Sequence, residues 1–270
     1  MPKASIIAAF YNRIDYLKLV LAGFERQTEK DFELIIADDG STREAVIEIE
    51  KLSSSHSFPI VHLRHEDKGF RKNKILNKAI SSANSDYLIF IDADCIPHSK
   101  FVEEHITNSV PGCCLTGRRV NLSKKITSII TPEKIKNGFL EKKMILLIKD
   151  GLFGKSYYVE KGFYFKSSFL RKIFNKKNRG MLGCNFSLNK IDMLAINGFD
   201  ERYEAPSIGE DSDVQYRLEL NGVNIISVNH IAVQYHLYHE LQERPQKNLD
   251  LFKKVKEKKL AFTNFGIEKK

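Results

Sequence analysis

Short apolar runs alternate with amphipathic stretches along the first 95 residues of the chain. The apolar runs are typical of buried strands and cover residues 4–10, 32–37, 59–63 and 86–92. Stretches with apolar residues at helical spacing lie between these runs, at residues 14–27, 43–55 and 71–84. Strands that alternate with helices in this way predict an α/β fold with a mixed, mainly parallel sheet flanked by helices.

The second half of the chain is less regular, and lysine alternates with apolar residues through much of it. The remaining elements are predicted to be a strand at 115–120, amphipathic helices within 121–179, a helix at 214–221 capped by Gly222, two short strands within 223–235 and a helix from 246 to about 262. No internal repeat is apparent in the sequence, and 270 residues suit one large domain or two small ones that share a core.

Polar residues follow three of the predicted strands at the point where each strand ends. They are Tyr11-Asn12, Asp38-Asp39 and Asp92-Ala93-Asp94. Any one of these clusters alone is explained by turn chemistry, because Asn and Asp are common after strands. The carboxyl ends of parallel strands share one edge of a sheet, where ligands bind in open α/β folds. The three clusters together therefore predict a single binding crevice.

Two groups of acidic residues provide candidate chemistry. Asp92 and Asp94 place two carboxylates after a buried strand, and such pairs, completed by phosphate oxygens, are typical ligands of Mg²⁺ or Mn²⁺. Glu210, Asp211 and Asp213 lie at the start of a predicted helix, where acids also stabilise the helix N-terminus. Three acids exceed what capping requires, so one of them is a candidate general base.

Two histidines add a third element to the candidate site. His236 follows the last predicted strand, and His239 lies three residues further along the chain. An imidazole at a strand end is a suitable third ligand for Mn²⁺, although a lone histidine is more often structural. We expect one of the two to bind the metal, with His236 as the first choice and His239 as the second. Structural or surface roles are expected for the histidines at 62, 65, 98 and 105.

Composition narrows the class of protein. The 270 residues are 42% hydrophobic and 29% charged, as in globular proteins, and the apolar runs fall short of the roughly 20 residues of a membrane span. The N-terminus lacks a signal-peptide pattern, so we expect a cytoplasmic protein. Four cysteines without a C-x-x-C pair predict reduced packing thiols rather than a zinc or redox site.

The net charge of +9 favours anionic partners such as nucleotides, nucleic acid or anionic lipid. A nucleic-acid-binding surface requires basic residues interleaved with aromatics, whereas acids occupy the predicted crevice, so we expect no nucleic-acid partner. The lysine-rich residues 121–182 and 246–270 allow two interpretations. They form a solvated face whose lysine stems cover apolar surface, or they dock peripherally on the anionic inner face of the cell membrane.

Several motifs occur in order along the chain. They are SIIAAFYNR at 5–13, DDGS at 38–41, GFRKNKILN at 69–77, DADC at 92–95, GCNFS at 183–187, NGFDE at 197–201 and GED at 209–211. As a set they resemble family 2 glycosyltransferases of the GT-A fold, of the galactosyltransferase and bacterial chondroitin-polymerase type. The resemblance implies a GT-A domain at 1–245, with a nucleotide-sugar half at 1–115, an acceptor half at 116–245 and a basic helical tail at 246–270.

The resemblance implies a donor-binding set made up of Ala9, Tyr11, Asn12, Asp39, Arg71, Lys74, Asp92 and Ala93. Within this set, Tyr11 would pack against the uracil of a UDP-sugar, and Asp39 would hydrogen-bond the base. Arg71 and Lys74 would lie near the donor, where basic groups neutralise phosphate charge. The chain reads R-K-N-K where relatives have N-R-A-K, so either Arg71 or Lys72 takes this role.

The resemblance also implies a catalytic centre. Asp92 would contact the ribose or metal region, and Asp94 would coordinate Mn²⁺ (or Mg²⁺) together with a histidine. Asp211 would be the general base, Glu210 would orient the acceptor sugar, and Asn185 would belong to the acceptor-binding set. One displacement by an acceptor hydroxyl would invert the anomeric carbon. The implied acceptor is a glycan or lipid-linked glycan, as in cell-surface polysaccharide or lipopolysaccharide synthesis.

One departure from the family pattern bears on the acceptor. Relatives carry a Trp shortly before the Gly-Glu-Asp motif that helps to form the acceptor platform, whereas this chain has no Trp, and Tyr203 is a candidate substitute. Two alternative functions stay open. A nucleotidyltransferase usually has a glycine-rich phosphate loop, which residues 8–14 lack; an inactive sugar-nucleotide-binding relative would lack some of the expected acids, all of which are present.

Overall fold

The computed structural model describes residues 1–175, 180–205, 210–240 and 246–269. The strands within these ranges are β1 (Ala4–Phe10), β2 (Phe32–Asp38), β3 (Ile60–Arg64), β4 (Tyr87–Asp92), β5 (Cys95–Pro97), β6 (Cys113–Thr116), β7 (Val120–Asn121), β8 (Asn185–Asn189), β9 (Asn224–Ser227) and β10 (Gln234–His236). The α-helices are α1 (Ile14–Phe24), α2 (Arg43–Ser53), α3 (Lys72–Ser82), α4 (Phe101–Thr107), α5 (Lys124–Ile129), α6 (Pro132–Lys136), α7 (Phe139–Lys142), α8 (Met144–Phe153), α9 (Ser168–Phe174), α10 (Lys190–Ala195), α11 (Glu210–Leu220) and α12 (Gln246–Lys258). A 3₁₀ helix spans Val159–Gly162.

The strands form two sheets. The main sheet has seven strands in the order β3-β2-β1-β4-β8-β6-β9, in which β3, β2, β1 and β4 run parallel and β8 is antiparallel to both of its neighbours. A smaller sheet has the order β5-β10-β7. The prediction of a mixed, mainly parallel sheet flanked by helices is therefore confirmed. Among the described helices, none is long and apolar enough to cross a membrane.

The apolar runs of the first half form strands because their alternate residues are buried on opposite faces of the sheet. On β1, Ile6 packs into the core on the α1 side, whereas Ile7 packs into the core on the α3 side. On β4, Ile89 and Phe90 divide in the same way. Burial on both faces explains why these strands read as continuous apolar runs rather than as alternating ones.

The prediction of one strand over residues 115–120 is wrong. β6 ends at Thr116 in the main sheet, and β7 begins at Val120 in the small sheet. The chain passes between the sheets where Gly117 packs against the Asn185 side chain, since a Cβ on Gly117 would lie only 2.4 Å from Asn185 Nδ2. The same amide nitrogen donates to the Arg118 carbonyl at 3.0 Å and fixes this passage.

The C-terminal tail is helical but shorter than predicted. α12 ends at Lys258, and the residues after it fold back onto the turn at Asn197. The Asn197 amide nitrogen donates to the carbonyls of Thr263 (2.7 Å) and Glu268 (2.9 Å), and its oxygen accepts from the Glu268 N–H at 2.8 Å. The last residues of the chain are therefore tied to the body of the domain.

Candidate active site

The carboxyl ends of β1, β2 and β4 bring three predicted donor-binding residues together. Ala9 and Asp92 lie opposite each other in the parallel register of β1 and β4. The Ala93 N–H then donates to the Ala9 carbonyl at 2.9 Å, which extends the pairing one residue beyond β4. The main chain at this edge of the sheet is therefore fixed by backbone bonds before any side chain contributes.

Asn12 and Tyr11 follow β1 at the same edge. The Asn12 N–H donates to Ser41 Oγ at 2.8 Å, and the Asn12 amide oxygen accepts from the Thr42 N–H at 2.8 Å. Asn12 has a φ of 56°, a conformation that Asn tolerates better than most residues. Half of the Tyr11 side chain is exposed, and its hydroxyl donates to Asp67 Oδ2 at 3.2 Å, so the ring is available to a ligand.

The acid pair after β2 is saturated by neighbouring groups. Asp38 accepts from the Ser41 N–H at 2.8 Å and lies 2.9 Å from His62 Nε2, and these hydrogen bonds lower its pKa although burial alone would raise it. Asp39 lies 2.6 Å from His65 Nε2 and accepts from the Arg71 N–H at 2.9 Å, but here burial wins and raises the pKa. The histidines at 62 and 65 thus have structural partners.

Lys72 occupies the centre of the crevice. Its Nζ lies 3.2 Å from Asp92 Oδ1 and 3.1 Å from Glu210 Oε1, so it joins the end of β4 to the start of α11. Burial disfavours the ammonium, yet the surrounding carboxylates, Asp92 first, raise the pKa of Lys72 well above its usual value. This lysine therefore places a cation between the end of β4 and the first turn of α11.

The two basic residues chosen from the sequence, Arg71 and Lys74, do not share the position of Lys72. Arg71 precedes the first helical residue, and its guanidinium donates to the Glu66 carbonyl. Lys74 is exposed. Lys72 and Lys74 are two residues apart, which is roughly 200° around a helix, so they point to opposite sides. The only sequence signal for Lys72 was the R-K-N-K departure, which left the choice between it and Arg71 open.

Glu210 and Asp211 are the first two residues of α11 and differ in their partners. Glu210 is buried against Lys72, and burial raises its pKa to about 7 against the opposing effect of that ammonium. Asp211 Oδ2 accepts from the Gly183 N–H at 2.8 Å. A Cβ on Gly183 would lie 2.1 Å from Asp211 Oδ1, so only glycine lets the backbone come this close. Burial raises the pKa of Asp211 as well.

Asp213, the third acid of the group, has a structural role. Its carboxylate forms a buried salt bridge of 2.6 Å with Arg217, one helical turn later on α11. Arg217 also donates to the carbonyls of Ile196 and Gly198, both at 2.8 Å. This pair holds the first turn of α11 against the turn at 196–198, and thereby positions Glu210 and Asp211.

Asp94 and both candidate histidines meet at one point. Asp94 Oδ2 lies 3.3 Å from His236 Nε2 and 3.3 Å from His239 Nε2, and the two imidazole nitrogens are 3.1 Å apart. His236 is the last residue of β10 and pairs in register with Cys95 of β5, which places it beside Asp94. The first and second choices from the sequence therefore lie together.

The spacing of these three atoms fits a metal ion. Two ligands at right angles around an ion with bonds of about 2.1 Å lie about 3.0 Å apart, close to the separations observed between the three side chains. One carboxylate and two imidazoles suit Mn²⁺ better than Mg²⁺, which prefers oxygen ligands throughout. Burial alone would raise the pKa of Asp94, but the hydrogen bonds with His236 and His239 hold it well below its usual range.

Arg119 is a second buried cation beside this triad and was not singled out in the sequence. Its guanidinium donates to Cys184 Sγ at 3.3 Å, and Gln234 Nε2 donates to the same sulfur at 3.2 Å. Burial disfavours its charge, but Cys184 and the nearby acids, including Asp92 and Asp94, raise the pKa of Arg119. The signal in the sequence was a pair of arginines, at 118 and 119, within the predicted strand.

All four cysteines of the chain are buried, free thiols.

Two residues proposed for the acceptor do not face the crevice. Asn185 is fully buried, and its amide is engaged by the carbonyls of Arg118 and Ala232 and by His105 Nε2, so it holds loops together rather than contacting an acceptor. Tyr203 is 1% exposed, so it cannot act as a replacement for the missing tryptophan platform. Residues 206–209, which include Gly209 of the Gly-Glu-Asp motif, lie outside the described residues.

Two family models match the chain. The model described as glycosyl transferase family 2 matches residues 5–174, and the model described as the N-terminal domain of galactosyltransferase matches residues 167–240. The first match includes the carboxyl ends of β1, β2 and β4, and the second includes α11 and both histidines. The two matches together span every residue of the crevice described above.

Two curated relatives align with most of the chain. Chondroitin synthase of Escherichia coli is 26% identical over 90% of the chain, and validoxylamine A glucosyltransferase of Streptomyces hygroscopicus subsp. jinggangensis is 24% identical over 83%. The chain spans only 35% of the length of the first relative and 53% of the second. Both relatives carry further sequence to which this chain has no counterpart in the alignment.

Solved structures share the fold at low sequence identity. S. aureus TarS has a TM-score of 0.58 at 15% identity over 93% of this chain and 38% of its own. TarS 1–349 in complex with UDP-GlcNAc has a TM-score of 0.56 at 15% identity, over 93% and 64%. Mannosyltransferase PcManGT from Pyrobaculum calidifontis, in complex with GDP-Man and Mn²⁺, has a TM-score of 0.57 at 14% identity, over 88% and 58%. These likenesses establish a GT-A fold.

Proposed function

Because this chain belongs to glycosyl transferase family 2, we propose that it transfers a sugar from a UDP-sugar to a hydroxyl group of a glycan or glycolipid. The observation that carries the proposal is the combination of three groups in one crevice. A carboxylate and two imidazoles converge within 3.3 Å, Lys72 lies between two acids, and Asp211 is fixed by a backbone N–H. The residues that we propose for donor binding, metal binding and proton transfer therefore lie in one crevice.

The donor occupies the edge of β1, β2 and β4. The half-exposed ring of Tyr11 stacks on the base, and Asp39, held by His65 and the Arg71 N–H, accepts a hydrogen bond from it. Lys72 and Arg119 supply positive charge for the diphosphate, in place of Arg71 and Lys74. TarS complexes with UDP-GlcNAc and with UDP support a uridine donor, and the mannosyltransferase complex with GDP-Man makes a GDP-sugar the alternative to test.

Asp94, His236 and His239 hold the metal ion, for which we propose Mn²⁺. The ion supplies positive charge that stabilises the diphosphate leaving group. Asp94 follows β4 and His236 ends β10, so both ligands lie on strands of the small sheet or directly beside it. His236, at the end of a strand, is held more firmly than a loop residue, whereas His239 lies in the loop that follows.

Asp211 accepts the proton of the acceptor hydroxyl. The hydroxyl oxygen attacks the anomeric carbon, the bond from that carbon to the donor diphosphate breaks, and the proton passes to Asp211. A single displacement inverts the anomeric centre. A raised pKa makes Asp211 a stronger base than an ordinary aspartate, and the Gly183 N–H fixes which carboxylate oxygen is free. Glu210, held by Lys72, orients the acceptor sugar.

The acceptor class is proposed from the relatives rather than from the crevice. Chondroitin synthase of E. coli, the relative that aligns with 90% of the chain, is named for a polysaccharide product. We therefore place the acceptor among growing cell-surface polysaccharides or lipopolysaccharides. Asn185 and Tyr203 are left out of its binding surface because both are fully buried.

A donor panel tests the proposal. UDP-, GDP-, CDP- and dTDP-sugars are added with Mn²⁺, and the melting temperature and sugar release are measured. One UDP-sugar should stabilise the wild type, Asp94→Ala should abolish that stabilisation, and Lys74→Met should leave it unchanged. Asp211→Asn should still bind the donor but lose about 10²- to 10⁴-fold in transfer, the usual contribution of a general base. The proposal fails if no nucleotide-sugar raises the melting temperature with any divalent ion.

A further inference from the structure

α8 exposes the face that a surface helix normally makes polar. Its buried positions are Leu147 and Asp150, whereas Ile145 (72% exposed) and Leu152 (72%) point to the opposite side, followed by Phe153 at 90%. Ile145 and Leu152 are seven residues apart, which places them on one stripe of the helix. Apolar side chains that contribute to neither core of the domain are not expected to form an exposed stripe unless the stripe has a binding role.

α9 repeats the arrangement. None of its seven residues is buried, and Phe169 is 69% exposed. Leu170, Ile173 and Phe174 are exposed as well, and together with Phe169 they occupy adjoining positions of the helical turn. The helix is held through its polar side, because Arg171 forms a salt bridge with Glu104 of α4. Phe174 also contacts Phe165 and His230, whereas Phe169 is left mostly exposed by the part of the chain that the structure describes.

Basic residues surround both helices. Residues 139–175 contain eight Lys and Arg against three Asp and Glu, so this stretch carries more than half of the chain's net charge. Two of the three acids are engaged internally, since Glu141 pairs with Arg26 at 2.7 Å and Asp150 is buried and bonded to Ser156. Lys142 and Lys143 line a groove directly before α8.

We propose that the exposed faces of α8 and α9 dock on an anionic lipid surface. The apolar side chains enter the boundary between headgroups and acyl chains, and the lysines contact lipid phosphates. A second copy of the chain is a poorer occupant, because a symmetric contact would bring two strongly basic segments face to face. The charge of residues 139–175 thus favours an anionic partner over another copy.

The docking faces connect directly to the metal-binding strand. Tyr157, half exposed in the segment after α8, exchanges two backbone hydrogen bonds of 3.0 Å with Asn121. Asn121 lies in β7, and β7 pairs in parallel with β10 so that Asn121 is opposite His236. Tyr157 therefore lies about two strand spacings, each of about 4.8 Å, from His236, the proposed metal ligand. If the proposed function holds, this position presents lipid-linked acceptors to the crevice.

Vesicle co-sedimentation tests the docking surface. The probes are phosphatidylcholine vesicles with and without phosphatidylglycerol, each at low and high salt. We expect binding to the anionic vesicles at low salt, weaker binding at high salt, and little binding to phosphatidylcholine alone. The double variant Leu152→Ser/Phe153→Ser should reduce the partition coefficient about tenfold or more, since two apolar side chains no longer leave water.

A matched control separates docking from general apolar exposure. Ile191 is 74% exposed on α10, away from the basic segment in sequence, so Ile191→Ser should leave vesicle binding unchanged. Retained stabilisation by a UDP-sugar and Mn²⁺ shows that the double variant is folded, and it tests the donor site separately from docking. Absence of binding to anionic vesicles at low salt overturns the proposal. So does sedimentation velocity that shows a dimer lost in the double variant without any lipid binding.

Discussion

Two acid pairs follow neighbouring parts of the parallel sheet and look alike in the sequence. Asp38 and Asp39 end β2, and Asp92 and Asp94 end β4 and begin the turn beyond it. The first pair contacts Ser41, which lies in the turn after β2, and two histidines, His62 within β3 and His65 directly after it. In the second pair, Asp94 contacts His236 and His239 from far along the chain, and Asp92 shares Lys72 with the distant Glu210.

The difference lies in what each carboxylate has left to bind. Asp38 is fully buried with both oxygens occupied, one by Ser41 and one by His62. Asp94 lies beside the imidazoles of His236 and His239, and the three ligand atoms form a group of the kind that holds a metal ion. His62 and His65 each contact a different acid, whereas His236 and His239 contact the same acid and each other.

The largest expected effect separates the two pairs directly. Asp94→Asn removes one metal ligand, and because metal charge stabilisation is worth several kcal/mol, we expect a loss of about 10³-fold in kcat. Mn²⁺ affinity, measured by titration calorimetry, should fall with it. Asp38→Asn is the matched variant, and equal losses of Mn²⁺ affinity in the two variants would contradict the distinction between the pairs.

A variant of Lys72 tests the role of Asp92, the other acid of the pair that follows β4. Lys72→Met leaves Asp92 and Glu210 without their shared cation and removes one phosphate-binding charge, so kcat/KM for the donor should fall about 10²-fold. Lys74→Met, two residues along the same helix and exposed, should stay within about twofold. Steady-state kinetics with varied donor concentration distinguish the two. A larger effect at Lys74 would show that the sequence-based choice was the better one.

Asp38→Asn should act on stability rather than on chemistry. The carboxylate hydrogen bonds that it weakens are buried, so we expect a loss of about 1 to 3 kcal/mol in the free energy of unfolding. The folded pKa of Asp38 is lowered, so its contribution is present above the ordinary carboxyl pKa and is lost as the pH falls through the folded value. Urea unfolding at pH 7 and at about pH 2.5, well below the ordinary carboxyl pKa, measures both effects. An unchanged difference between wild type and variant at these two pH values would contradict the assignment.

The smallest expected effect concerns Glu210. Its folded pKa of about 7 lies above the ordinary value of 4.5, so the folded state binds more protons than the unfolded state between these values. Its ionisation therefore costs stability as the pH rises from about 4.5 to 7. Glu210→Gln should flatten the fall in melting temperature over this window by a few degrees, as read by differential scanning calorimetry at pH 5 and pH 7. Parallel curves for wild type and variant would refute the raised pKa.

The sequence predicted the parallel half of the sheet and most of the site because both depend on local patterns. A buried strand followed by Asp-Asp or Asp-x-Asp can be recognised from a stretch of about ten residues. The position of Lys72 was not, because its direction depends on where α3 begins, and a shift of one residue rotates a helical side chain by about 100°. Burial of Asn185 and Tyr203 depends on contacts with distant segments, which no local pattern contains. The boundary between the sheets at Gly117 was missed for the same reason.

The small sheet has a consequence for how the proposed metal site forms. β5 pairs with β10 so that Cys95 lies opposite His236, across some 140 residues of intervening chain. Contacts so distant in sequence form late, because closing a long loop costs entropy before the contact is gained. During synthesis the N-terminal strands emerge first, whereas Asp94 must wait for His236 and His239. Under the proposed function, Mn²⁺ binding requires the finished domain and would report the last stage of folding.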